Sequence, residues 1–259
     1  MVTESHESDS LGQQTAREGR VFLTAEWRDL VMLSYEVDAA LLASYVPRGT
    51  ELDAFGGETL VSLVGFRFLR TRIFGGVTIP FHANFDEVNL RFYVRRCEAG
   101  GEVRRGVVFI REIVPRAAIA LVARLVYHES YCCYPMRHRV SPNGAGAGIR
   151  AEYEWRFGGK WMGLRAEGAV EPALPADGSM EQFITEHYWG YARQRDGGTV
   201  EYRVTHPQWR VWRGAKSAFS GDGAAMSGAE FGAALARPPD SAFLAEGSAV
   251  SVFAGRRIA

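Results

Sequence analysis

The stretch FDEVNLRFYVRRC, from Phe85 to Cys97, is the clearest β-strand pattern in a chain of 259 residues. Successive side chains of a strand point to opposite faces, so this strand has one polar face and one apolar face. The polar face carries Glu87, Asn89, Arg91, Tyr93 and Arg95, and the apolar face carries Val88, Leu90, Phe92 and Val94. Whichever face points inward decides where a site could lie.

A return strand, from Glu102 to Val114, follows after two consecutive glycines. A two-residue turn at those glycines would pair the strands as a hairpin. In that register Asn89 lies opposite Glu112, and Arg91 lies opposite Ile110. The hairpin then predicts one polar cluster, made of Glu87, Asn89, Arg91 and Glu112.

Two interpretations of this cluster are open. In the first, the polar face is the outer surface of the sheet, where arginines and glutamates pair across strands in water. In the second, the polar face points into the molecule, where two carboxylates, an amide and a guanidinium would orient a ligand. A buried cluster of this kind is tolerated only when its members satisfy one another.

The remaining sequence favours hairpins with a few helices. Runs of β-branched and aromatic residues bounded by turn signals predict about eight to eleven strands; the others include 21–37, 60–73, 151–157, 160–170, 200–205, 209–212 and 249–254. Three or four helices are predicted: a short one capped by Asp38, an apolar one over 117–127, one from Ser179 to about Arg193, and one near 231–236 with a capping box at Ser227.

Many antiparallel strands in one chain tend to close on themselves, because open edges invite aggregation. The expected fold is therefore mixed, mainly antiparallel β, with a closed or nearly closed distorted β-barrel and a few flanking α-helices. Residues 1–20 predict a disordered leader and residues 21–259 a single barrel domain. The glycine-rich segments 142–148 and 214–228 do not separate parts that could fold alone.

Charge and cysteine content limit the partners. Lys and Arg number 30, and Asp and Glu also number 30, so the formal net charge is zero. A neutral chain has no long-range field to attract nucleic acid or an anionic membrane, so neither is expected as a partner. The three cysteines do not form a disulfide framework, so a reducing, cytoplasmic location is expected. A small-molecule ligand is the expected partner, and a homo-oligomer is left open.

Neither a cofactor nor a metal is expected. Lys160 and Lys216 are the only lysines that could form a Schiff base, and both are expected to be exposed. Four potential ligands or nucleophiles cluster in sequence, but adjacent cysteines rarely bind one ion, and inert buried thiols are the simpler interpretation. They are His128, Cys132, Cys133 and His138.

Two other histidines are candidates for a functional role. His187 is predicted on the apolar face of the helix that Ser179 opens, next to Tyr188; a core histidine satisfied by a neighbour is the alternative. His206 precedes Pro207 and is predicted at the end of a strand.

Several segments, taken in order, resemble the YqjF-like family of bacterial proteins over about residues 21–257. The segments are Trp27–Leu30, Pro47–Gly49 with Leu52 and Asp53, Val61–Phe66, the E-x-N-x-R-x-Y pattern of 87–93, Thr185–Tyr191, and His206 with Trp209. The resemblance implies an acetoacetate-decarboxylase-like fold, a closed antiparallel barrel around an apolar cavity. The decarboxylase reaction of that superfamily needs a buried lysine, and the matching central region has none. His187 stands where the family pattern has arginine, and Arg111-Glu112 replaces a small and acidic pair.

Three functions are therefore considered. The first is binding of a small, partly apolar metabolite, with Glu87, Asn89, Arg91, Tyr93, Glu112 and Tyr188 as ligand contacts. The second is a lysine-independent lyase, isomerase or hydrolase acting on a keto or enol metabolite. Its candidate catalytic groups are Glu87, Glu112, His187 and His206. The third is a scaffold or oligomerisation module whose polar strand faces water.

Overall fold

The computed structural model describes residues 19–80, 82–115, 131–143, 148–213 and 216–259. Most of the predicted leader, the predicted helix over 117–127, His128 and residues 144–147 of the predicted loop 142–148 lie outside these ranges. The ends of that predicted loop belong to strands, because Asn143 ends one strand and Gly148 begins the next. No helix in the described ranges is both long enough and apolar enough to cross a membrane.

The described residues form fifteen strands and four short helices. The strands are β1 (Val21–Val37), β2 (Glu51–Leu52), β3 (Thr59–Ile73), β4 (Phe85–Cys97), β5 (Val103–Val114), β6 (Tyr131–Cys133), β7 (Met136–Asn143), β8 (Gly148–Phe157), β9 (Lys160–Gly168), β10 (Trp189–Arg193), β11 (Thr199–Thr205), β12 (Val211–Trp212), β13 (Lys216–Ser220), β14 (Ser241–Phe253) and β15 (Arg256–Arg257). The helices are α1 (Ala39–Leu42), α2 (Met180–Thr185), α3 (Gly223–Ser227) and α4 (Ala229–Leu235). The strands outnumber those predicted because some are only two or three residues long and carry no alternation pattern.

Seven strands close into a ring, in the order β14, β1, β3, β4, β5, β10, β11. The ring closes where β11 pairs with β14, through Val204 with Val252 and Thr205 with Ser251. The other pairings of the ring are antiparallel except that β10 runs parallel to β5. The expected mixed, mainly antiparallel and distorted barrel-like fold is confirmed.

A separate four-stranded sheet, in the order β13, β9, β8, β7, packs against the outside of the ring. Its fully buried side chains Tyr153 and Trp155 belong to the same apolar cluster as Val31 and Leu33 of β1. β1 and β3 are therefore covered on both faces, which explains why their central residues are apolar in near-continuous runs.

The inside of the ring holds a second apolar cluster. Large buried side chains fill one part of this cluster, among them Met32, Tyr93 and Phe243. There the hydroxyl of Ser62 lies 2.7 Å from that of Ser34 and 2.6 Å from that of Tyr93. These hydroxyls satisfy one another, which allows polar groups inside an apolar cluster.

The prediction of a helix from Ser179 to about Arg193 was right at its start and wrong at its end. Ser179 caps α2 by accepting a hydrogen bond from the backbone N–H of Gln182 at 3.2 Å. The helix stops at Thr185, and Trp189–Arg193 is strand β10, paired with β11 and β5. Aromatic residues favour strands, and pairing with two neighbours outweighs the weak helical pattern. His187 therefore lies in the connection after α2 and not on a helix face.

The capping box predicted at Ser227 is also wrong. Ser227 ends α3, whose N-cap is Asp222, and α4 begins after Gly228 with no side-chain cap. The short helix α1 is capped by Asp38 as predicted, with Oδ1 accepting from the N–H of Ala40 at 2.8 Å.

The β4–β5 hairpin has two irregularities that compensate for one another. Its loop is not the assumed two-residue turn, because the N–H of Glu98 donates to the carbonyl of Glu102 beyond the glycines. A β-bulge at Ile110 then adds one residue to β5. Asn89 consequently faces Glu112 as predicted, whereas Arg91 faces Phe109 and not Ile110. The bulge allows both Phe109 and Glu112 to point into the ring.

Candidate ligand-binding cavity

A cavity of about 160 Å³ lies inside the ring, which is room for roughly five water molecules at about 30 Å³ each. Its wall is mainly aromatic and aliphatic and includes Trp27, Phe66, Phe68, Phe85, Phe109 and Trp209. Phe68 and Phe85 stack with ring centroids 4.5 Å apart. A predominantly apolar enclosure with a few polar groups is the usual form of a small-molecule site.

The polar row of β4, which consists of Glu87, Asn89 and Arg91, points into this cavity. These three residues line it together with Glu112 of β5. Glu87, Asn89 and Glu112 are each at most 3% exposed. Asn89 Nδ2 donates to Glu87 Oε1 at 3.1 Å. The interior interpretation of the row is therefore the one that the structure adopts.

Arg91 connects the row to α2. Its Nη2 donates to the carbonyl oxygen of Ile184 at 3.4 Å, and its guanidinium lies 5.8 Å from the ring centre of Tyr93. The residue is half-buried. A guanidinium cannot lose its proton at physiological pH, so the cavity wall carries a fixed positive charge here.

His187 is held by a carboxylate that the sequence did not single out as a site residue. Its Nε2 lies 3.1 Å from Oδ2 of Asp53, and Nε of Arg105 donates to the same oxygen at 2.7 Å. Burial raises the pKa of Asp53, but the hydrogen bonds from His187 and Arg105 outweigh it and hold that pKa below its usual value. Burial lowers the pKa of His187 to about 4, with Arg105 and Arg91 opposing its protonation and Asp53 favouring it. The imidazole is therefore neutral at pH 7.

His206 occupies another part of the cavity wall. It stacks on Trp209 with ring centroids 4.1 Å apart, and its Nδ1 lies 2.9 Å from the carbonyl oxygen of Pro207. Burial lowers the pKa of His206, the Pro207 carbonyl raises it, and the charge of Arg91 lowers it further. Arg91 thus disfavours protonation of both cavity histidines.

Unpartnered polar atoms concentrate around the cavity. Among the described residues, five lining residues each have a buried side-chain atom with no hydrogen-bond partner in the protein. The atoms are Trp27 Nε1, Thr71 Oγ1, Asn89 Oδ1, Arg91 Nε and His187 Nδ1. Native proteins satisfy nearly all buried polar groups, so such a concentration needs an explanation.

The other predicted residues lie around the cavity or away from it. Tyr93 and Tyr188 are not in the lining; Tyr93 packs on His187 with centroids 4.7 Å apart, and Tyr188 packs on His206 at 4.9 Å. Lys160 and Lys216 are exposed residues of the outer sheet.

The cysteine–histidine cluster is not assembled at the cavity. Cys132 accepts from Nη1 of Arg111 at 3.3 Å, Cys133 is exposed, and His138 pairs with Asp86 between the sheets. His128 lies outside the described residues.

Sequence reasoning missed Trp27, Thr71 and Asp53 as parts of this region. In the sequence, Trp27 and Asp53 stand out only as members of the segments that resemble the YqjF-like family. Asp53 directly follows β2, and the pairing of β2 with β4 places it beside His187. No local sequence pattern predicts that pairing.

A family model for DUF2071, described as an uncharacterized conserved protein, matches residues 24–249 of the chain. The chain belongs to the DUF2071 family. A relative of the chain is the uncharacterized protein YqjF of Bacillus subtilis (strain 168), which is 24% identical over 183 residues that cover 70% of this chain and 72% of YqjF. The expected YqjF-like relationship is confirmed.

Solved structures show that this DUF2071 protein has the acetoacetate-decarboxylase-like fold. Acetoacetate decarboxylase from Legionella pneumophila is 14% identical with a TM-score of 0.62, covering 93% of this chain and 88% of that one. The enduracididine biosynthesis enzyme MppR, complexed with pyruvate, is 15% identical with a TM-score of 0.65, covering 93% of this chain and 91% of that one. These TM-scores establish a shared fold, and identities this low do not establish a shared reaction.

Proposed function

We propose that this DUF2071 protein binds a small, partly apolar metabolite in the cavity. The apolar part of the ligand packs against the aromatic wall. Its polar end is held by Glu87, Asn89, Arg91 and Glu112. The observation that carries the proposal is the set of five unpartnered buried polar atoms around one mainly apolar cavity.

The argument is energetic. A buried donor or acceptor without a partner costs about 1–3 kcal/mol. A fold that gathers several of them in one place sacrifices stability there, and a ligand that pairs with them recovers part of that loss. Tyr93 and Tyr188 contribute indirectly in this view, because they pack on the two histidines of the wall.

A thermal-shift panel tests the proposal. The probes are pyruvate, which the similarly folded MppR binds, and small hydroxy acids, cyclic alcohols, cyclic ketones and amides. We expect at least one class to raise the melting temperature of the wild type. Arg91→Met should abolish that rise, because it removes the guanidinium and keeps an apolar side chain of similar length.

A cavity-filling pair of variants provides a matched control. Val107 lines the cavity, whereas Val103, four residues earlier on the same face of β5, is outside the lining and 53% exposed. Val107→Phe should abolish stabilisation by the probe, and Val103→Phe should leave it intact. Equal responses of both variants to the probe would contradict binding in this cavity.

A lysine-independent lyase, isomerase or hydrolase acting on a keto or enol metabolite is the second candidate. It is favoured by the imidazole of His187, which Asp53 orients and which lines the same cavity as Glu87 and Glu112, because such groups can transfer protons to and from a bound substrate. Incubation of the protein with pyruvate or cyclohexanone in D₂O tests it. Faster loss of the α-proton NMR signals with wild type than with Glu112→Gln would support an enzyme, and equal rates would argue against it. The scaffold alternative requires the polar row of β4 to face water, and it gains no support because that row is buried.

A further inference from the structure

His187 and His206 line the same cavity, and each has one ring nitrogen held by a group of the protein. Nδ1 of His206 faces the carbonyl oxygen of Pro207, which can only accept, so Nδ1 carries the proton and Nε2 of the neutral ring is the acceptor. Nε2 of His187 faces the Asp53 carboxylate, so Nε2 carries the proton and Nδ1 is the acceptor. The two rings are therefore opposite tautomers.

Both rings stay neutral at physiological pH because of their surroundings. Burial lowers the pKa of each ring, and Arg91 of β4 opposes the protonation of both. Arg105 of β5 donates to the same Asp53 oxygen that His187 contacts, and its positive charge also opposes the protonation of His187. Each ring therefore contributes one hydrogen-bond acceptor and no free donor.

The polar end of the cavity is rich in acceptors. That end contains Nδ1 of His187, Oδ1 of Asn89 and the carboxylates of Glu87 and Glu112, and another part of the wall contains Nε2 of His206. Arg91 contributes donors, including an unpartnered Nε. A ligand with acceptor atoms alone would match Arg91 but none of these acceptors, whereas a hydroxyl both donates and accepts.

We propose that the two oppositely protonated histidines make this cavity selective for a ligand that carries a hydroxyl, an enol or an amide N–H over an analogue that has only acceptors. This inference rests on the proposed binding function and adds the chemical class of the ligand. Nδ1 of His187, Oδ1 of Asn89 and Nε of Arg91 are each covered by neighbouring side chains, so the cavity wall must adjust for a ligand to reach them. His206 is half-buried, so it makes the larger contribution to the selectivity.

The tautomers can be measured without a ligand. Long-range ¹H–¹⁵N NMR spectra of the full-length, ¹⁵N-labelled protein at pH 7 distinguish a protonated ring nitrogen from a bare one. We expect a proton only on Nε2 of His187 and only on Nδ1 of His206. A doubly protonated ring, or the other tautomer at either residue, would overturn the inference whatever the cavity binds.

The selectivity is measured with two probes of nearly the same shape. Cyclohexanol has a donor and cyclohexanone has only an acceptor. In NMR titrations we expect wild type to bind the alcohol about five- to tenfold more tightly than the ketone, the difference made by one buried hydrogen bond.

Two variants each remove the acceptor nitrogen of one ring and keep the hydrogen bond that the ring makes to the protein. The amide of glutamine reaches the position of Nε2, so His187→Gln keeps the contact to Asp53 and loses Nδ1. The amide of asparagine reaches the position of Nδ1, so His206→Asn keeps the contact to Pro207 and loses Nε2. Each variant should lower the ratio of alcohol to ketone affinity, and His206→Asn should lower it more.

The outcomes separate the two proposals. Equal binding of alcohol and ketone to wild type, or an unchanged ratio in both variants, overturns the inference while ligand binding stands. If no probe of the thermal-shift panel and neither cyclohexyl compound binds, the proposed function fails and the inference fails with it.

Discussion

Arg96 donates from Nη1 to Oε2 of Glu201 at 3.1 Å, and the side chain of Glu201 is completely buried. The same carboxylate accepts from Arg104 at 2.8 Å and from Arg256 at 2.9 Å. This cluster connects β4, β5, β11 and β15, and its buried carboxylate is surrounded by donors. Removal of one partner from such a cluster leaves the others incompletely compensated.

The two arginines of β4 are therefore expected to differ in their effect on stability. Arg96→Met should lower the free energy of unfolding by about 2 kcal/mol, because Glu201 loses one of its donors. Arg91→Met should change it by less than about 1 kcal/mol, since Arg91 has one long hydrogen bond to Ile184 and an unpartnered Nε. Urea unfolding of both variants measures the difference. Similar losses of unfolding free energy in the two variants would contradict the expected difference between Arg96 and Arg91.

Packing of the outer sheet on the ring depends on Gly65. A Cβ atom added there would lie 2.9 Å from the buried ring of Tyr153 and 3.0 Å from Leu164. Gly65→Ala should destabilise the protein by about 2 kcal/mol through overpacking. Gly100→Ala is the matched control, because nothing lies within 4 Å of an added Cβ at Gly100. Thermal unfolding of both variants checks this, and a Gly65→Ala protein as stable as the control would refute it.

Acid should destabilise the protein through His187. Its pKa is about 4 in the folded protein, below the ordinary value of 6.5. The unfolded chain therefore binds the proton first, and stability that is complete above pH 6.5 is lost as the pH falls toward 4. Between pH 7 and pH 5 the loss from this residue should be about 2 kcal/mol.

His187→Gln isolates that contribution, since it keeps the contact to Asp53 and cannot titrate. Urea unfolding at pH 7 and pH 5 should show a weaker pH dependence for the variant than for wild type. Asp53 has its pKa held low and protonates only in stronger acid. His206 is common to both proteins, so it cancels in the comparison. Identical pH dependence of the two would show that His187 is not buried as a neutral ring.

Schiff-base formation in the cavity should be absent. Both lysines of the chain are exposed and lie on the outer sheet. Treatment with pyruvate and borohydride should leave no adduct at Lys160 or Lys216 detectable by mass spectrometry of peptides. A pyruvate adduct at either lysine that Val107→Phe suppresses would overturn this expectation.

Much of the fold could be predicted from the sequence, because it depends on alternation along single strands. The pattern of β4 and the two glycines that follow it indicated a hairpin, and β4 does pair antiparallel with β5. The length of β10 could not be predicted in the same way. Its residues have both helical and strand character, and pairing with β5 and β11 decides between them.

The candidate site was predictable only in part. The polar row of β4 and its pairing of Asn89 with Glu112 follow from local periodicity and hairpin geometry. The contact between Asp53 and His187 joins residues 134 positions apart, and the partner of His187 depends on how β2 lies on β4.

The sequence alone determined a mainly antiparallel, YqjF-like fold, a strand with one polar and one apolar face, and a chain with only two lysines. The tertiary structure decided that the polar face points into the ring and that the outer sheet covers the apolar face. The reason is that alternation specifies only which side chains share a face. Which face is buried depends on what packs against each side, and only the closure of β11 on β14 and the docking of the second sheet settle that.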